Sequence, residues 1–197
     1  MLSRIEEQTY LQSTKEGQQS AFNNIVESYQ RPIYNLCYQM LQDTGEAEDA
    51  AQEVFLRAYL KLDSYDETRK FSTWLFAIAS HYCLDRLKKR RLQTVSLSLL
   101  SPWQMPADHA PKPEQNLIQA DSASEIQAIL NQLSAKQRLI VVMHYWHNMP
   151  LAEISEATKM SVGAIKSQLF RARKVMGKMM QSEQYAIPQG QLVSMAL

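Results

Sequence analysis

A chain of 197 residues has room for one or two domains, each with a small core of its own. Hydrophobic residues make up 45% of it and glycines number only five, which fits a folded protein and argues against a loop-rich β architecture. The net charge of +1 would argue against a polyanionic partner if charge were evenly spread, and it is not.

Glu46, Glu48, Asp49 and Glu53 crowd residues 46–53 with no base among them. Residues 69–91 reverse the sign, with Arg69, Lys70, Arg86, Lys88, Lys89, Arg90 and Arg91 against Asp85 alone. Between 136 and 178, Lys136, Arg138, Lys159, Lys166, Arg171, Arg173, Lys174 and Lys178 face only Glu153 and Glu156. Local charge decides which surface meets a phosphate, so this segregation outweighs the total. Cys37 and Cys83 lie inside apolar helical patterns and read as buried free thiols of a reducing cytoplasm. No secretory leader opens the chain and no apolar run is long enough to span a bilayer, which predicts a soluble, cytoplasmic protein.

The first strong pattern is helical. Phe22, Ile25, Val26, Tyr29, Ile33, Leu36, Cys37 and Met40 recur at three- and four-residue spacing over 20–41, with Pro32 expected to kink the helix. Over 46–62, Ala47, Ala51, Val54, Ala58 and Leu62 form an inward stripe, while Glu46, Asp49, Glu53 and Arg57 form an outward one. Residues 63–70 are polar and read as a loop. A third helix then places Phe71, Leu75, Ile78 and Tyr82 inward. From Leu92 to about Ser122 periodicity fails and Pro102, Pro106, Pro111 and Pro113 cluster, so this segment reads as a flexible linker. Helical pattern resumes with Ile126, Ile129, Leu130 and Leu133. Ser134 is placed to cap the next helix, which should bury Leu139, Val142 and Met143. The fold class is therefore all-α, with two small helical domains, 1–91 and 123–181, joined by a Pro-containing linker at 92–122 and followed by a tail at 182–197.

The C-terminal domain ends in a helix-turn-helix pattern. Pro150 can start a helix that runs to about Thr158, Lys159-Met160 makes a short turn, and Ser161 can cap a second helix. There Val162, Ile165 and Leu169 should face inward, leaving Lys166, Ser167, Phe170, Arg171 and Lys174 on the other side. Lys, Ser and Arg near the start of such a helix suit base edges in a major groove, and Arg173, Lys174 and Lys178 suit phosphates. The N-terminal domain carries a different pattern: Tyr65, Phe71, Trp74 and Tyr82 lie among Arg69, Lys70, Arg86 and the Lys88–Arg91 run. Aromatic faces beside backbone-tracking charge suit single strands, and a polar loop over an aromatic floor suits a base taken out of its stack. Phe71 and Leu75 themselves read as core.

At these residues the chain resembles the extracytoplasmic-function (ECF) group of bacterial sigma-70 family sigma factors, from about Ser20 to Met180. Four blocks carry the resemblance: Asp49–Tyr59 (DAAQEVFLRAY), Phe71–Leu75 (FSTWL), Leu84–Lys88 (LDRLK) and Val162–Arg173 (VGAIKSQLFRAR). It implies that Asp49, Gln52, Glu53, Leu56 and Arg57 dock on the β′ clamp helices of core RNA polymerase, with the β subunit as a further contact. It implies a −10 reader made of Ser64, Arg69, Lys70, Ser72, Trp74, His81, Arg86, Lys88 and Lys89, with a non-template base flipped beside loop 64–72. It implies a −35 reader made of Ser161, Lys166, Ser167, Phe170, Arg171, Arg173 and Lys174. The family often carries Asn where this chain has His81, and Ser near the position of Pro150. It also implies an anti-sigma protein as partner, able to hold the chain at the membrane without any membrane insertion of its own. No cofactor, metal or catalytic residue is implied.

Reach is consistent with two modules on one promoter. Elements about one and a half duplex turns apart are roughly 50–60 Å apart, and a tether of about 30 residues extends to roughly 100 Å. His144 and His147 lack companion ligands at metal spacing and read as packing; phosphate-loop and nucleophile-elbow motifs are absent from the sequence. Two other readings fit parts of the pattern: a helix-turn-helix regulator that binds duplex without core polymerase, and a helical protein whose basic faces meet an acidic partner. The FSTWL block and the acidic helix favour the sigma reading over both.

Overall fold

In the computed structural model, which describes residues 2–100 and 126–181, regular structure is helical throughout and no strand occurs among the described residues. The chain begins with a helix that the apolar pattern does not announce, α1 (Arg4–Lys15). Its start is local chemistry. Ser3 Oγ accepts from the Glu6 amide while the Ser3 amide donates to Glu6 Oε2 at 2.9 Å, a reciprocal cap that satisfies two otherwise orphaned donors. It ends at a turn in which Gly17 takes φ +96°, a conformation natural only to glycine.

The long helix α2 (Gln19–Leu41) buries Phe22, Ile25, Tyr29, Ile33, Leu36, Cys37 and Met40 and runs through Pro32. Asp43 caps α3 (Thr44–Leu60), accepting from the Glu46 amide at 2.7 Å. The buried face of α3 is rich in alanine (Ala47, Ala50, Ala51, Ala58), with Val54 and Phe55 completing it. A 3-10 turn (Leu62–Ser64) and a polar loop lead into α4 (Phe71–Leu100). Under the loop, Tyr65 and Tyr29 meet Phe71 edge-on at 5.3 and 5.8 Å between ring centroids, the geometry aromatic quadrupoles favour. Cys37 and Cys83 are both buried, with their sulfurs 3.8 Å apart. Each fully buried Ile, Leu or Phe of this set contributes about 1.5–3 kcal/mol relative to exposure.

The second unit is α5 (126–131), α6 (Ala135–Val141) with a π turn at Val142–Trp146, α7 (Leu151–Thr158) and α8 (Val162–Gln181). Ser134 caps α6 as expected, through a reciprocal pair with Gln137. Leu139, Val142, Met143, Ile154, Ile165, Leu169 and Ala172 form its core.

Two results depart from the sequence reading. First, α4 continues to Leu100, beyond the expected domain edge at residue 91. No Pro or Gly interrupts 92–100, so the helix propagates although Leu92 is 60% exposed. The remainder of the expected linker, from residue 101, and the tail from 182 lie outside the described residues. Second, the two units are packed on each other. Helix α4 lies against α6 and α7, with Phe76 edge-on to His147 at 4.7 Å and Ser80 Oγ 3.8 Å from the Met143 sulfur. Arg138, only 9% exposed, donates to Leu130 O at 3.0 Å in its own unit and to Met40 O at 2.9 Å in the other. The latter bond satisfies one of the last carbonyls of α2 with a cation, where a helix dipole favours one. Gln127 adds a bond to Gln39 at 2.8 Å.

Candidate nucleic-acid interface

Helix α8 is entered through a left-handed residue, Lys159 (φ 58°), and capped by Ser161, whose Oγ accepts from the Ala164 amide at 3.2 Å. Ile165, Leu169 and Ala172 turn inward, which leaves Lys166, Ser167, Phe170, Arg171, Arg173 and Lys174 exposed, Phe170 by 65%. Val162 was expected inside and is 38% exposed. It shares its side of the helix with Lys166, four residues on, as much as with Ile165. Ser167 Oγ donates back to Gly163 O at 3.0 Å, so what it offers outward is an acceptor. No acidic residue falls between Ser161 and Lys178. The face therefore combines cationic donors, a hydroxyl and an aromatic ring on one rigid helix, the set that reads base edges and holds phosphates.

At the other pole, the loop before α4 is organised by Asp66. Its Oδ1 accepts from the Thr68 amide at 3.0 Å and hydroxyl at 2.6 Å, and its Oδ2 from Arg69 Nε at 3.1 Å. The bonds from Thr68 hold its carboxyl below the usual range. Tyr65 is 6% exposed and donates to Arg69 O at 2.7 Å, so it serves as the floor of the loop and offers no stacking face. Trp74 is half-buried, tilted 5.3 Å from Tyr65 and 5.5 Å from Phe71. Ser72 is half-buried, while Ser64, Arg69, Lys70, His81, Lys88 and Lys89 are exposed. Tyr82 is covered by the Arg57 guanidinium, 4.8 Å above its ring.

These residues make no single pocket. Arg69, Lys70 and Ser72 border a cavity of about 170 Å³ whose opposite wall is α1, with Arg4, Glu7 and Gln8. Sequence reasoning missed that wall, and the Ser3-Glu6 capping signal was the clue to it. Trp74 borders a second cavity, about 260 Å³, with Ser64 and Thr73 on one side and Glu156 and Ala157 of α7 on the other. His81 lies seven residues along α4 from Trp74, roughly 10 Å, and Lys89 a further 12 Å. The set is a track that begins in the loop at Ser64, Arg69 and Lys70 and continues along α4.

The face of α3 is less uniform than expected. Asp49, Gln52 and Leu56 are exposed, Leu56 by 53%. Glu53 pairs with Arg57 at 2.7 Å. Glu46, expected outward, turns to α4 and meets Arg90 at 3.3 Å and Arg86 at 3.8 Å, because α4 carries those cations past the start of α3. Arg86 is accordingly half-buried and partly neutralised. Between α2 and α3 runs a groove of about 600 Å³ lined by Arg31, Tyr34, Glu48, Gln52 and Phe55 among others. Its α2 wall was not foreseen. Among the described residues no three His, Cys, Asp or Glu side chains gather as metal ligands, and His144 Nδ1 lies 3.2 Å from Met149 O. No helix among them is long and apolar enough to cross a membrane.

Comparison with known proteins agrees with this layout. Sigma-70 region 2 matches residues 25–93, and Sigma-70 region 4 matches residues 123–176. The ECF RNA polymerase sigma factor SigW of Bacillus subtilis is 37% identical over 177 residues, covering 85% of this chain and 93% of that protein. The RNA polymerase sigma-H factor of Pseudomonas aeruginosa is 27% identical over 187 residues, covering 92% and 97%. Among solved structures, CnrH in complex with the cytosolic domain of CnrY superposes with a TM-score of 0.68 at 18% identity, covering 90% of this chain and 99% of that one. The sigma factor RpoE of Bartonella quintana, in complex with the anti-sigma factor NepR, superposes with a TM-score of 0.64 at 21% identity, covering 83% and 98%. With both matched regions in order on a helical fold, the chain belongs to the ECF group of sigma-70 family RNA polymerase sigma factors.

Proposed function

We propose that this sigma factor divides promoter reading between its two units, with α8 in the major groove of the −35 element and α4 along the melted −10 strand. The observation that carries the assignment is the exposed face of α8, where Lys166, Ser167, Phe170, Arg171, Arg173 and Lys174 stand clear of the core beside a Ser161 cap. Arg69 and Lys70 in the loop before α4, with Lys88 and Lys89 on it, track the strand backbone. His81 and the Trp74 edge meet bases, and Ser64 and Ser72 supply hydroxyls at the loop. Arg86 joins them only after leaving Glu46.

Asp49, Gln52, Glu53, Leu56 and Arg57 form the core polymerase contact, in which the acidic residues steer the partner and Leu56 supplies apolar area. The α2–α3 groove extends that contact. The reaction chemistry belongs to the polymerase, and the chain itself is not an enzyme. An anti-sigma protein is the natural negative partner, by analogy with the complexes formed by the relatives of known structure, and the cytoplasm is the natural compartment. DNase I and permanganate footprinting of the reconstituted holoenzyme tests the division. Protection at −35 with reactivity at −10 supports it. Loss of the −35 footprint only in α4 variants would reverse the assignment.

A further inference from the structure

Helix α1 lies ahead of the first residue matched to region 2, yet it is fastened to the loop that precedes α4. Leu11 and Thr14 are its buried positions, and a polar contact holds it near each end. Near its start, Glu7 accepts from the hydroxyl of Tyr29. Tyr29 is 5% exposed and meets Phe71, the first residue of α4, edge-on at 5.8 Å. At the last residue of α1, Lys15 Nζ donates to Glu67 Oε1 at 2.6 Å, within the loop itself. The helix is thereby tied to the middle of the loop and to the ring that supports its exit.

The cavity of about 170 Å³ opens along this seam, with Arg4 and Gln8 on one side and Arg69, Lys70 and Ser72 on the other. Its three cations differ in what they already hold. Arg69 is bonded to Asp66 and to Glu156 of α7, and Lys70 to Glu153 of α7. Arg4 is exposed and has no ion pair among the described residues. The one carboxylate lining the cavity, Glu7, is spent on Tyr29. Three cations against one engaged anion make the gap attractive to a phosphate, which the donor fork of an arginine suits.

We propose that α1 is the second wall of the strand-capture site: Arg4 binds a backbone phosphate of the melted strand across the cavity from Lys70 and Ser72, and Lys15 positions the loop by holding Glu67. The inference rests on the assignment of loop 64–72 and α4 to the −10 strand. A loop shaped before the strand arrives loses less freedom on binding, so the Lys15–Glu67 tie adds affinity without touching DNA. A phosphate contact carries no sequence information, so Arg4 strengthens capture at every sequence alike.

The test titrates holoenzyme, assembled from core polymerase and the full chain, with a fluorescein-labelled single-stranded −10 oligonucleotide read by anisotropy over a series of salt concentrations. Arg4→Gln should weaken binding by roughly twofold to fivefold. It should also make the fall of log K with log salt shallower by roughly 0.7, the share of one single-strand phosphate. Glu67→Gln tests the sign. Removing a carboxylate beside a polyanion tightens binding if charge alone matters, whereas loss of the Lys15 tie weakens it by roughly twofold. An unchanged salt slope in Arg4→Gln, or equal or tighter binding by Glu67→Gln, overturns the proposal. Both residues are exposed, and binding to −35 duplex should be unchanged in both variants; a parallel loss there would show a general defect and overturn it as well. Strand binding by wild-type holoenzyme separates the two readings. Its absence removes the function assigned to α4 and its loop, while its presence beside unaltered variants removes only the α1 wall.

Discussion

Replacing Arg138 by methionine offers a demanding check on how the two units are held. The guanidinium is 9% exposed and donates three bonds: to Leu130 O at 3.0 Å, Met40 O at 2.9 Å and Asn131 Oδ1 at 3.3 Å. Burial disfavours its charge and pulls its pKa below the ordinary value, so part of what the bonds contribute is already used to offset desolvation. Methionine replaces the aliphatic stem but leaves the Met40 and Leu130 carbonyls without this donor, at about 1–3 kcal/mol each. Removing the desolvated charge returns part of that loss, so a net destabilisation of about 2–4 kcal/mol is expected. For a chain of this length each kcal/mol lowers Tm by about 2–4 °C, giving a drop of about 5–15 °C in a thermal melt followed by circular dichroism. Arg138→Lys should recover little of it, since a single ammonium cannot reproduce the fork reaching Leu130 and Met40 together. A drop below about 2 °C in the methionine variant, within the effect of an ordinary surface change, would refute the reasoning.

Other expectations concern the reading surfaces and pH. Lys166→Ala and Arg171→Ala should each weaken −35 recognition by about 1–3 kcal/mol with core binding intact; unaltered promoter selectivity in both would count against the placement of α8. Glu53→Arg should reduce core binding in a native gel shift, and wild-type retention would remove the case for the α3 face. His147, whose Nε2 is buried without a hydrogen-bond partner, has its pKa lowered from 6.5 to about 4 by desolvation. The unfolded chain therefore takes up a proton that the folded chain refuses. Stability is complete above pH 6.5 and falls as pH drops toward 4, by about 2–3 kcal/mol. His147→Phe should flatten that part of the stability profile, and an unchanged profile would show that another group governs it.

Where the sequence was legible, the physics was local or periodic. The stripes of α2, α3 and α4 follow from helical spacing, and the Ser134 and Ser161 caps from the competition of hydroxyls for orphaned amides. Helix α1 escaped because Leu11 and Thr14 are its only buried positions, too few to make a stripe. The end of α4 was misplaced because apolar periodicity reports packing, whereas the helix runs on through Leu92, which is 60% exposed, to Leu100. At the candidate sites, residue type was readable and pairing was not. Glu46 looks like any member of the acidic run until α4 brings Arg86 and Arg90 beside it. Tyr65 looks like a stacking ring until Phe71 and Trp74 close over it. The contact of Glu153 and Glu156 with Arg69 and Lys70 joins residues more than eighty positions apart, across a segment whose composition suggests only separation.

Run-off transcription with purified core polymerase tests the central claim most directly. Core enzyme supplied with this chain should start transcripts at defined positions on host promoters, and core enzyme alone should not. Absence of any start-site-specific transcript across those promoters would contradict the account.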